Sequence, residues 1–329
     1  SRRRVRGGRS PMRIARRIAT YARSLSVPRV SFPKVVATAE IDADARIVAS
    51  LNGTPHSLGD IRKINGSQIG PVDMVILSSS CKGFSHVGMR RGLEHPEGDT
   101  ILHGIRIAAE CSAKVLVTEN VEGITNQAGG ETFAIINGFL ERFGFTPFEW
   151  RMLWASHFGL ATTRPRWFAV SHRQGVTLRP LEWPSVRMPP RNIRSVLLPE
   201  DRVRDLYIND ATFVPTSPKR PRTDPYRSLC VGYLAKPFID RRIYSIDAPA
   251  PTFLAGLGGP GGPSRMYRMD DGRTRRLHHV EMLRAMGFPE GYRMPFRSFR
   301  AGKLIGNSLC PPVARSVIAM ALKAMTGED

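Results

Sequence analysis

The sequence predicts an α/β fold, in which short apolar strands of a parallel sheet alternate with helices. Four apolar runs have the length of buried strands, and stretches of helical periodicity lie between them. The strands are predicted at 35–41, 72–77, 115–118 and 167–171, and the helices after residue 42, at 100–112 and at 131–143. Strands that alternate with helices form parallel sheets.

Polar side chains stand where the predicted strands end. They are Glu40, Asp60, Cys81 and Glu119, each at a strand end or just beyond it. Because ligands of such sheets lie at the carboxyl ends of the strands, these side chains are candidates for one functional site.

Composition divides the chain into four segments. Residues 1–30 contain ten Arg and no acidic residue, and we interpret them as a basic N-terminal arm. Residues 31–172 form the α/β domain. Residues 173–275 are rich in Pro, Arg and Gly-rich turns, which predicts a small irregular lobe. Helical patterns at 280–286 and 312–325 predict that residues 276–329 return to the first domain.

The charge of the chain favours a polyanionic partner. The formal net charge is +21, and without the basic arm 39 Lys and Arg still face 28 Asp and Glu. Basic side chains that meet phosphates release counterions, so we expect DNA or RNA as the partner; the alternative is a basic surface without a specific partner. An uninterrupted apolar run of membrane-spanning length is absent from the sequence, so we expect no membrane partner. The four cysteines are far apart, which argues against a zinc site or a disulfide framework and for a reducing compartment.

Two strand ends carry candidates for chemistry. Cys81 lies in a Ser-rich turn, where an exposed thiol beside Lys82 would have a lowered pKa and act as a nucleophile; the alternative is a buried structural cysteine. Glu119, followed by Asn120, could hold a proton in a partly desolvated cleft; the alternative is a surface carboxylate with a capping Asn.

Two further segments are candidates for binding. Arg164 and Arg166 precede a strand and, at i and i+2, point the same way, so they could grip a base carbonyl or a phosphate; a solvated pair is the alternative. Gly306-Asn307-Ser308 precedes a helix, where Asn or Ser usually serves as a cap.

Together these segments resemble the DNA cytosine-5 methyltransferase family. Cys81-Lys-Gly-Phe-Ser85 is similar to the family's Pro-Cys-Gln-Gly-Phe-Ser motif, and Glu119-Asn-Val121 matches its Glu-Asn-Val motif. Thr162-Thr-Arg-Pro-Arg166 resembles its Gln-x-Arg-x-Arg motif. The stretch 276–289 and the segment 306–314 look like the motifs that follow the recognition lobe and close the fold. Order and spacing agree from about residue 34 to residue 325.

The resemblance implies a Rossmann-like methyltransferase sheet with a target-recognition lobe at 173–275. It implies that Cys81 adds to C6 of a flipped-out cytosine, that Glu119 hydrogen-bonds N3 and the exocyclic amine, and that Arg164 and Arg166 anchor the base and order Cys81. Ser85 and Asn120 are implied as further substrate contacts. The activated C5 then takes a methyl group from S-adenosylmethionine.

The resemblance also implies a site for this methyl donor. Glu40 would hold the ribose hydroxyls, Asp60 the adenine amine, and Ile61 would pack on the adenine ring. Asn307 and Ser308 would close the donor pocket. We expect a monomeric, cytoplasmic and nucleoid-associated enzyme of restriction–modification type, without a metal, acting on double-stranded DNA.

The sequence departs from the family's pattern at four places. The family's Phe-x-Gly-x-Gly motif, which lets the backbone approach the donor, has no counterpart in residues 15–24. Ser80, Lys82 and Thr162 replace the usual Pro, Gln and Gln. Two alternatives therefore stay open: an inactive homologue that binds DNA or a partner methylase, and an RNA cytosine-5 methyltransferase.

Overall fold

In the computed structural model, the residues described are 34–54, 56–79, 98–208, 212–216, 224–234, 241–255 and 266–327. They form two sheets, one of four strands and one of five. The helices are α1 (Ala43–Leu51), α2 (Thr100–Glu110), α3 (Gly123–Asn126), α4 (Glu131–Arg142), α5 (His279–Ala285), α6 (Ser298–Asn307) and α7 (Pro311–Thr326).

The four-stranded sheet is mixed rather than all parallel. Its strands are β1 (Met74–Ser78), β2 (Val115–Asn120), β3 (Glu149–Trp154) and β4 (Pro165–His172), in the order β1-β2-β4-β3. β1 and β2 are parallel and joined through α2, whereas β4 is antiparallel to both β2 and β3. Because the connection 155–164 carries no crossover helix longer than one short 3₁₀ turn, β4 runs back beside β3.

Each face of this sheet is buried against a different layer. Residues of even number in β2 and odd number in β4, such as Leu116 and Trp167, pack against α2 and α4. Their neighbours Val117 and Phe168 pack against α7 and residues of the lobe. Because the sheet is covered on both sides, both strands are almost entirely buried.

Aromatic packing fixes the start of β4. The Trp167 side chain is fully buried, and the rings of Phe133 and Phe148 meet it edge-on at centroid distances of 5.9 and 5.4 Å. Each such pair adds about 0.5–1.5 kcal/mol beyond the burial of its area. Since neighbouring residues of a strand point to opposite faces, this anchor directs Arg166 to the other side of the sheet.

The lobe contains a second sheet, although the sequence predicted a lobe of irregular structure. Its strands are β5 (Phe213–Pro215), β6 (Cys230–Leu234), β7 (Arg242–Ser245), β8 (Met266–Arg268) and β9 (Thr274–Arg276), in sequential order. Only β7 and β8 are parallel. Strands of three to five residues are too short to show a recognisable period, which is why the sequence pattern missed them.

The prediction of a strand at 35–41 is wrong for the described chain. Within this segment only Thr38 pairs, in an isolated parallel bridge to Ser57. Val35, Val36 and Ile41 are largely exposed. An apolar run becomes a strand only when neighbouring strands pair with it and bury it, and among the described residues this run has one bridge.

Besides the lobe strands and the four-residue helix α3, two elements were not predicted. The strand β3 alternates charged Glu149 and Arg151 with half-buried Trp150 and Met152, a period of two that could have revealed it. The helix α6 contains two glycines, but its apolar positions repeat with helical spacing.

Among the described residues, the helical stretch Phe299–Thr326 is long and apolar enough to cross a membrane by length and composition, with a mean hydropathy of 1.2. It comprises α6 and α7, and half of its most apolar segment is buried inside the fold. α7 contacts β2 and supplies much of the core on that face, as the central helix of a globular domain does.

Candidate active site at the carboxyl ends of two parallel strands

Three side chains meet above the carboxyl ends of β1 and β2 because they share one face of the sheet. Glu119 continues the face of Val115 and Val117 in β2, and the parallel register sets Ser78 of β1 directly beside it. Arg166 lies on the same face of β4 as Phe168, the residue paired with Glu119. The period of two in three strands thus brings Ser78, Glu119 and Arg166 together.

The Glu119 carboxylate is held on both sides. Its Oε2 accepts a hydrogen bond from Ser78 Oγ at 2.7 Å, and Arg166 Nε lies 3.1 Å from its Oε1. The two side chains of the ion pair are only 9% and 14% exposed. Arg166 Nη1 also donates to its neighbour's carbonyl, Pro165 O, at 2.7 Å, which fixes the plane of the guanidinium. A carboxylate oriented in this way presents fixed acceptors to a ligand that carries N–H groups.

Asn120 connects the end of β2 to the residue that follows β1. Its Nδ2 donates to Ser79 Oγ at 2.9 Å, and its Oδ1 accepts from Val121 N at 2.8 Å. Ser79 is the last described residue before the segment that contains Cys81. The Asn120 amide therefore holds the point at which the chain enters that segment. Cys81 and Ser85 themselves lie outside the described residues.

Arg164 and Arg166 both line the small cavity beside Cys310, but Arg164 has other hydrogen-bond partners. Its side chain is buried, with 3% of the residue exposed. Its Nη2 donates to Gly306 O at 2.9 Å and to Ser308 O, and its Nη1 donates to Phe253 O at 3.3 Å. The two arginines predicted to act as a pair thus have separate partners: Arg166 lies within β4, which begins at Pro165, whereas Arg164 precedes the strand.

The predicted donor residues Glu40 and Asp60 are brought close by Ser57. Ser57 Oγ accepts from Glu40 N at 2.7 Å and from Gly59 N at 3.2 Å, and it donates to Glu40 O at 3.1 Å. With the bridge between Thr38 and Ser57, these bonds hold the segments 38–42 and 57–61 side by side. Ser57 could not be predicted as a site residue, since a lone serine in a loop carries no pattern.

The two carboxylates differ in their surroundings. Glu40 is exposed, and its Oε1 accepts from Asp42 N at 2.8 Å. Asp60 Oδ1 accepts from Arg62 N at 3.0 Å and from Arg62 Nε at 3.1 Å, and these bonds hold the pKa of Asp60 below its ordinary value. Ile61 is partly buried against the core cluster of α2 and α4.

A pair of ion pairs connects the Glu40 segment to α6. Asp42 Oδ2 accepts from Lys303 Nζ at 2.7 Å, and Asp44 Oδ2 accepts from Arg300 Nε at 2.8 Å. The far end of α6 carries Asn307, whose side chain is exposed. The helix therefore joins the segment of Glu40 to the segment predicted to close the donor pocket.

The predicted cap at 307–308 has another form. Asn307 is the last residue of α6, and Ser308 follows it, donating from Oγ to Ile305 O at 2.8 Å. The next helix, α7, begins at Pro311 after Cys310, which makes no side-chain capping bond.

A buried thiol, Cys310, lies beside the arginines. Burial raises its pKa to about 11, while the charges of Arg164 and Arg166 act in the opposite direction. This cysteine is therefore a protonated, structural residue near neutral pH. Among the described residues, no group of three or more His, Cys, Asp or Glu side chains could hold a metal ion.

Comparisons with known proteins agree with this geometry. A family model described as C-5 cytosine-specific DNA methylase matches residues 24–323. The chain is 27% identical over 270 residues to the type II methyltransferase M.HhaI of Haemophilus parahaemolyticus, covering 82% of each chain. It is 29% identical over 308 residues to the type II methyltransferase M.MspI of Moraxella sp, covering 90% of this chain and 68% of that one.

Solved structures share the fold at lower sequence identity. The S. pombe Dnmt2 methyltransferase has a TM-score of 0.66 and 18% identity, with 94% of this chain and 96% of that chain covered. A putative DNA modification methyltransferase encoded within an E. coli prophage has a TM-score of 0.61 and 18% identity, with 90% and 93% covered.

Proposed function

The chain belongs to the C-5 cytosine-specific DNA methylase family, and from this we propose that Glu119 and Arg166 bind the target cytosine. The chain is an S-adenosylmethionine-dependent methyltransferase acting on C5 of cytosine in DNA, with the Rossmann-like fold predicted from its sequence. The observation that carries the site proposal is the buried Ser78–Glu119–Arg166 group at the carboxyl ends of the parallel strands.

Glu119 serves as the acceptor for the cytosine edge. Cytosine presents an amine at C4 and, when its N3 is protonated, a positively charged ring with an N–H at N3. A carboxylate already oriented by Ser78 and Arg166 stabilises that charge without reorganising during the reaction. Arg166, on the far side of Glu119, presents its guanidinium to the carbonyl oxygen O2.

Cys81 supplies the nucleophile in this proposal. Its thiolate adds to C6, forming a carbon–sulfur bond and moving the C5–C6 electron pair to C5. C5 then takes the methyl group as the methyl–sulfur bond of the donor breaks and S-adenosylhomocysteine leaves. The C5 proton passes to a base, and the thiolate leaves as the C5–C6 double bond is restored. Asn120, whose Nδ2 donates to Ser79 Oγ at 2.9 Å, fixes the residue that precedes the segment containing Cys81.

The donor site suits a nucleoside. S-adenosylmethionine supplies an electrophilic methyl group when bound. Glu40 and Asp60, aligned through Ser57, offer carboxylate acceptors for ribose hydroxyls and an adenine amine, and Ile61 offers an apolar surface. The low pKa of Asp60 keeps it an acceptor at neutral pH. Asn307 and Ser308 close the pocket from α6.

We further propose that the enzyme works as a monomer on double-stranded DNA. The excess of positive charge outside residues 1–30 favours phosphate contacts. The target atom is inaccessible inside a duplex, so the cytosine turns out of the helix into the space beside Glu119.

The experiment that tests this function traps the covalent intermediate. Wild-type protein is incubated with S-adenosylmethionine and duplex DNA in which cytosine is replaced by 5-fluorocytosine. Fluorine cannot leave as a proton does, so the wild type is expected to stay attached to DNA on denaturing gels, and the Cys81→Ala variant is not. The same oligonucleotide made as RNA tests the substrate class. If the wild type forms no adduct on any DNA, the proposal of an active DNA enzyme is wrong.

A homologue without donor binding is the second candidate. Exposure of Val35, Val36 and Glu40 favours it, because the donor side is less buried than the base side. Calorimetric titration with S-adenosylhomocysteine separates the two: binding supports the active enzyme, and no binding at millimolar ligand supports the homologue that only binds DNA.

A further inference from the structure

The Arg164 side chain joins three backbone segments that lie far apart in the sequence. Arg164 itself precedes β4, two of its acceptors lie at the end of α6 and just after it, and the third is Phe253 O in the lobe segment that follows β7. The segment before Arg164 is also bonded to that lobe segment, since Ala250 N donates to Ala161 O and Thr163 N donates to Ala250 O, both at 2.8 Å. The buried guanidinium is the polar centre of this junction.

Close backbone packing at Gly306 forms the second half of the junction. A Cβ atom added to Gly306 would lie 2.7 Å from Ala255 N and 2.9 Å from Ala255 Cα. Both are backbone atoms, so there is no flexible side chain that could move aside. Gly306 and Arg164 together hold the end of α6 against residues 253–255.

Asn307, the last residue of α6, lies between the two residues whose carbonyls Arg164 holds. Arg164 Nη2 donates to Gly306 O in the helix and to Ser308 O just after it, one on each side of Asn307. The Asn307 side chain is exposed while its backbone is fixed. The geometry of the junction therefore sets the position of the Asn307 amide.

We propose that Arg164 is a positioning residue for the methyl donor and makes no contact with the base. This inference rests on the function proposed above, in which Asn307 and Ser308 close the donor pocket. Arg164 acts through the segment 305–308, whereas Arg166, two residues further on, acts on the base through Glu119. The two arginines of the motif thus serve the two substrates separately. Lysine cannot replace Arg164, since one ammonium group cannot span carbonyls on two segments as the planar guanidinium does.

The test compares Arg164→Lys with Arg166→Lys. Binding of S-adenosylhomocysteine is measured by calorimetry, and steady-state methylation is measured with S-adenosylmethionine as the varied substrate. Arg164→Lys is expected to weaken binding of S-adenosylhomocysteine about 10- to 100-fold, the loss typical of hydrogen bonds from a charged group. Its donor KM should rise more than its kcat falls. Arg166→Lys should bind S-adenosylhomocysteine within about twofold of the wild type and lose kcat instead.

A glycine pair supplies a test that keeps Arg164 intact. Gly306→Ala crowds the junction and should weaken S-adenosylhomocysteine binding in the same direction as Arg164→Lys. Gly138→Ala is the matched control, since Gly138 also lies in a helix but has nothing within 4 Å of an added Cβ; it should bind as the wild type does. Circular dichroism and thermal melting show whether each variant folds. If Arg164→Lys does not fold, the effect of Gly306→Ala on S-adenosylhomocysteine binding tests the inference in its place.

Two results would overturn the inference. One is Arg164→Lys or a folded Gly306→Ala variant that binds S-adenosylhomocysteine as tightly as the wild type does. The other is an Arg166→Lys variant whose binding falls as much as that of Arg164→Lys. A wild-type protein that binds no S-adenosylhomocysteine would instead remove the proposed function on which the inference rests.

Discussion

Replacing Glu281 by Gln should cost a large part of the protein's stability. Glu281 is fully buried, and its two oxygens accept four hydrogen bonds. Oε1 accepts from Leu198 N at 2.7 Å and from Arg275 Nη2 at 2.8 Å. Oε2 accepts from Arg275 Nη1 at 2.9 Å and from His278 N at 2.8 Å. This carboxylate thus ties the beginning of the lobe, strand β9 and helix α5 to one point.

The magnitude follows from what the substitution leaves behind. Gln has the shape of Glu, so the packing is kept. Its amide group, however, replaces one accepting oxygen with an NH2 donor, which then faces two other donors without an acceptor between them. Arg275, 2% exposed, then keeps its charge without a carboxylate. Removing one partner of a buried ion pair costs about 3–5 kcal/mol. Against a total stability of about 5–15 kcal/mol, this loss is severe.

Urea denaturation followed by circular dichroism measures the effect. The midpoint should fall with an unchanged slope, since the surface exposed on unfolding stays the same. Glu290→Gln is the control, because Glu290 pairs with Arg284 at 2.9 Å but its side chain is 74% exposed, and it should cost less than about 1 kcal/mol. If Glu281→Gln costs no more than Glu290→Gln, the reasoning about the buried pair is wrong.

Three further outcomes are expected. Glu119→Gln should lower the methylation rate about 100- to 1000-fold, because it removes one preorganised group that stabilises the reacting base. Binding of S-adenosylhomocysteine should stay unchanged. A methylation rate within tenfold of the wild type would contradict the proposed role of Glu119 in binding cytosine. Burial lowers the pKa of His279 to about 4, from 6.5, so the unfolded chain binds more protons between these values and stability should fall as the pH drops from 6.5 towards 4. The urea midpoint of His279→Gln should depend less on pH over this range, and an equal dependence would contradict the assignment. Gly104→Ala should destabilise the protein by about 1–3 kcal/mol in the same denaturation assay, since its Cβ would lie 2.4 Å from Leu77 Cδ2 in the buried contact between α2 and β1; a neutral result would mean that Leu77 can move aside.

Local patterns in the sequence were sufficient for the central elements of the fold. The apolar runs near 74, 115 and 167 became β1, β2 and β4, and the helical patterns became α2, α4, α5 and α7. These segments bury their side chains with a regular period that is visible in residues close in the chain. The strands among them also have neighbouring strands that pair with their backbones. The segment 35–41 is an apolar run like those of β1 and β2. Among the described residues, however, it has no neighbouring strand to pair with and forms one isolated bridge.

The candidate site shows the same division. The sequence by itself determined the motif residues and their order, and this order identified the family. It also indicated that Glu119 follows a buried strand. Only the tertiary structure decided the partners: Ser78 and Arg166 hold Glu119, while Arg164 turns away to carbonyls of α6 and the lobe. The physical reason is that periodicity fixes the face on which a side chain lies, whereas its partners depend on sheet register and on contacts between segments far apart in the chain.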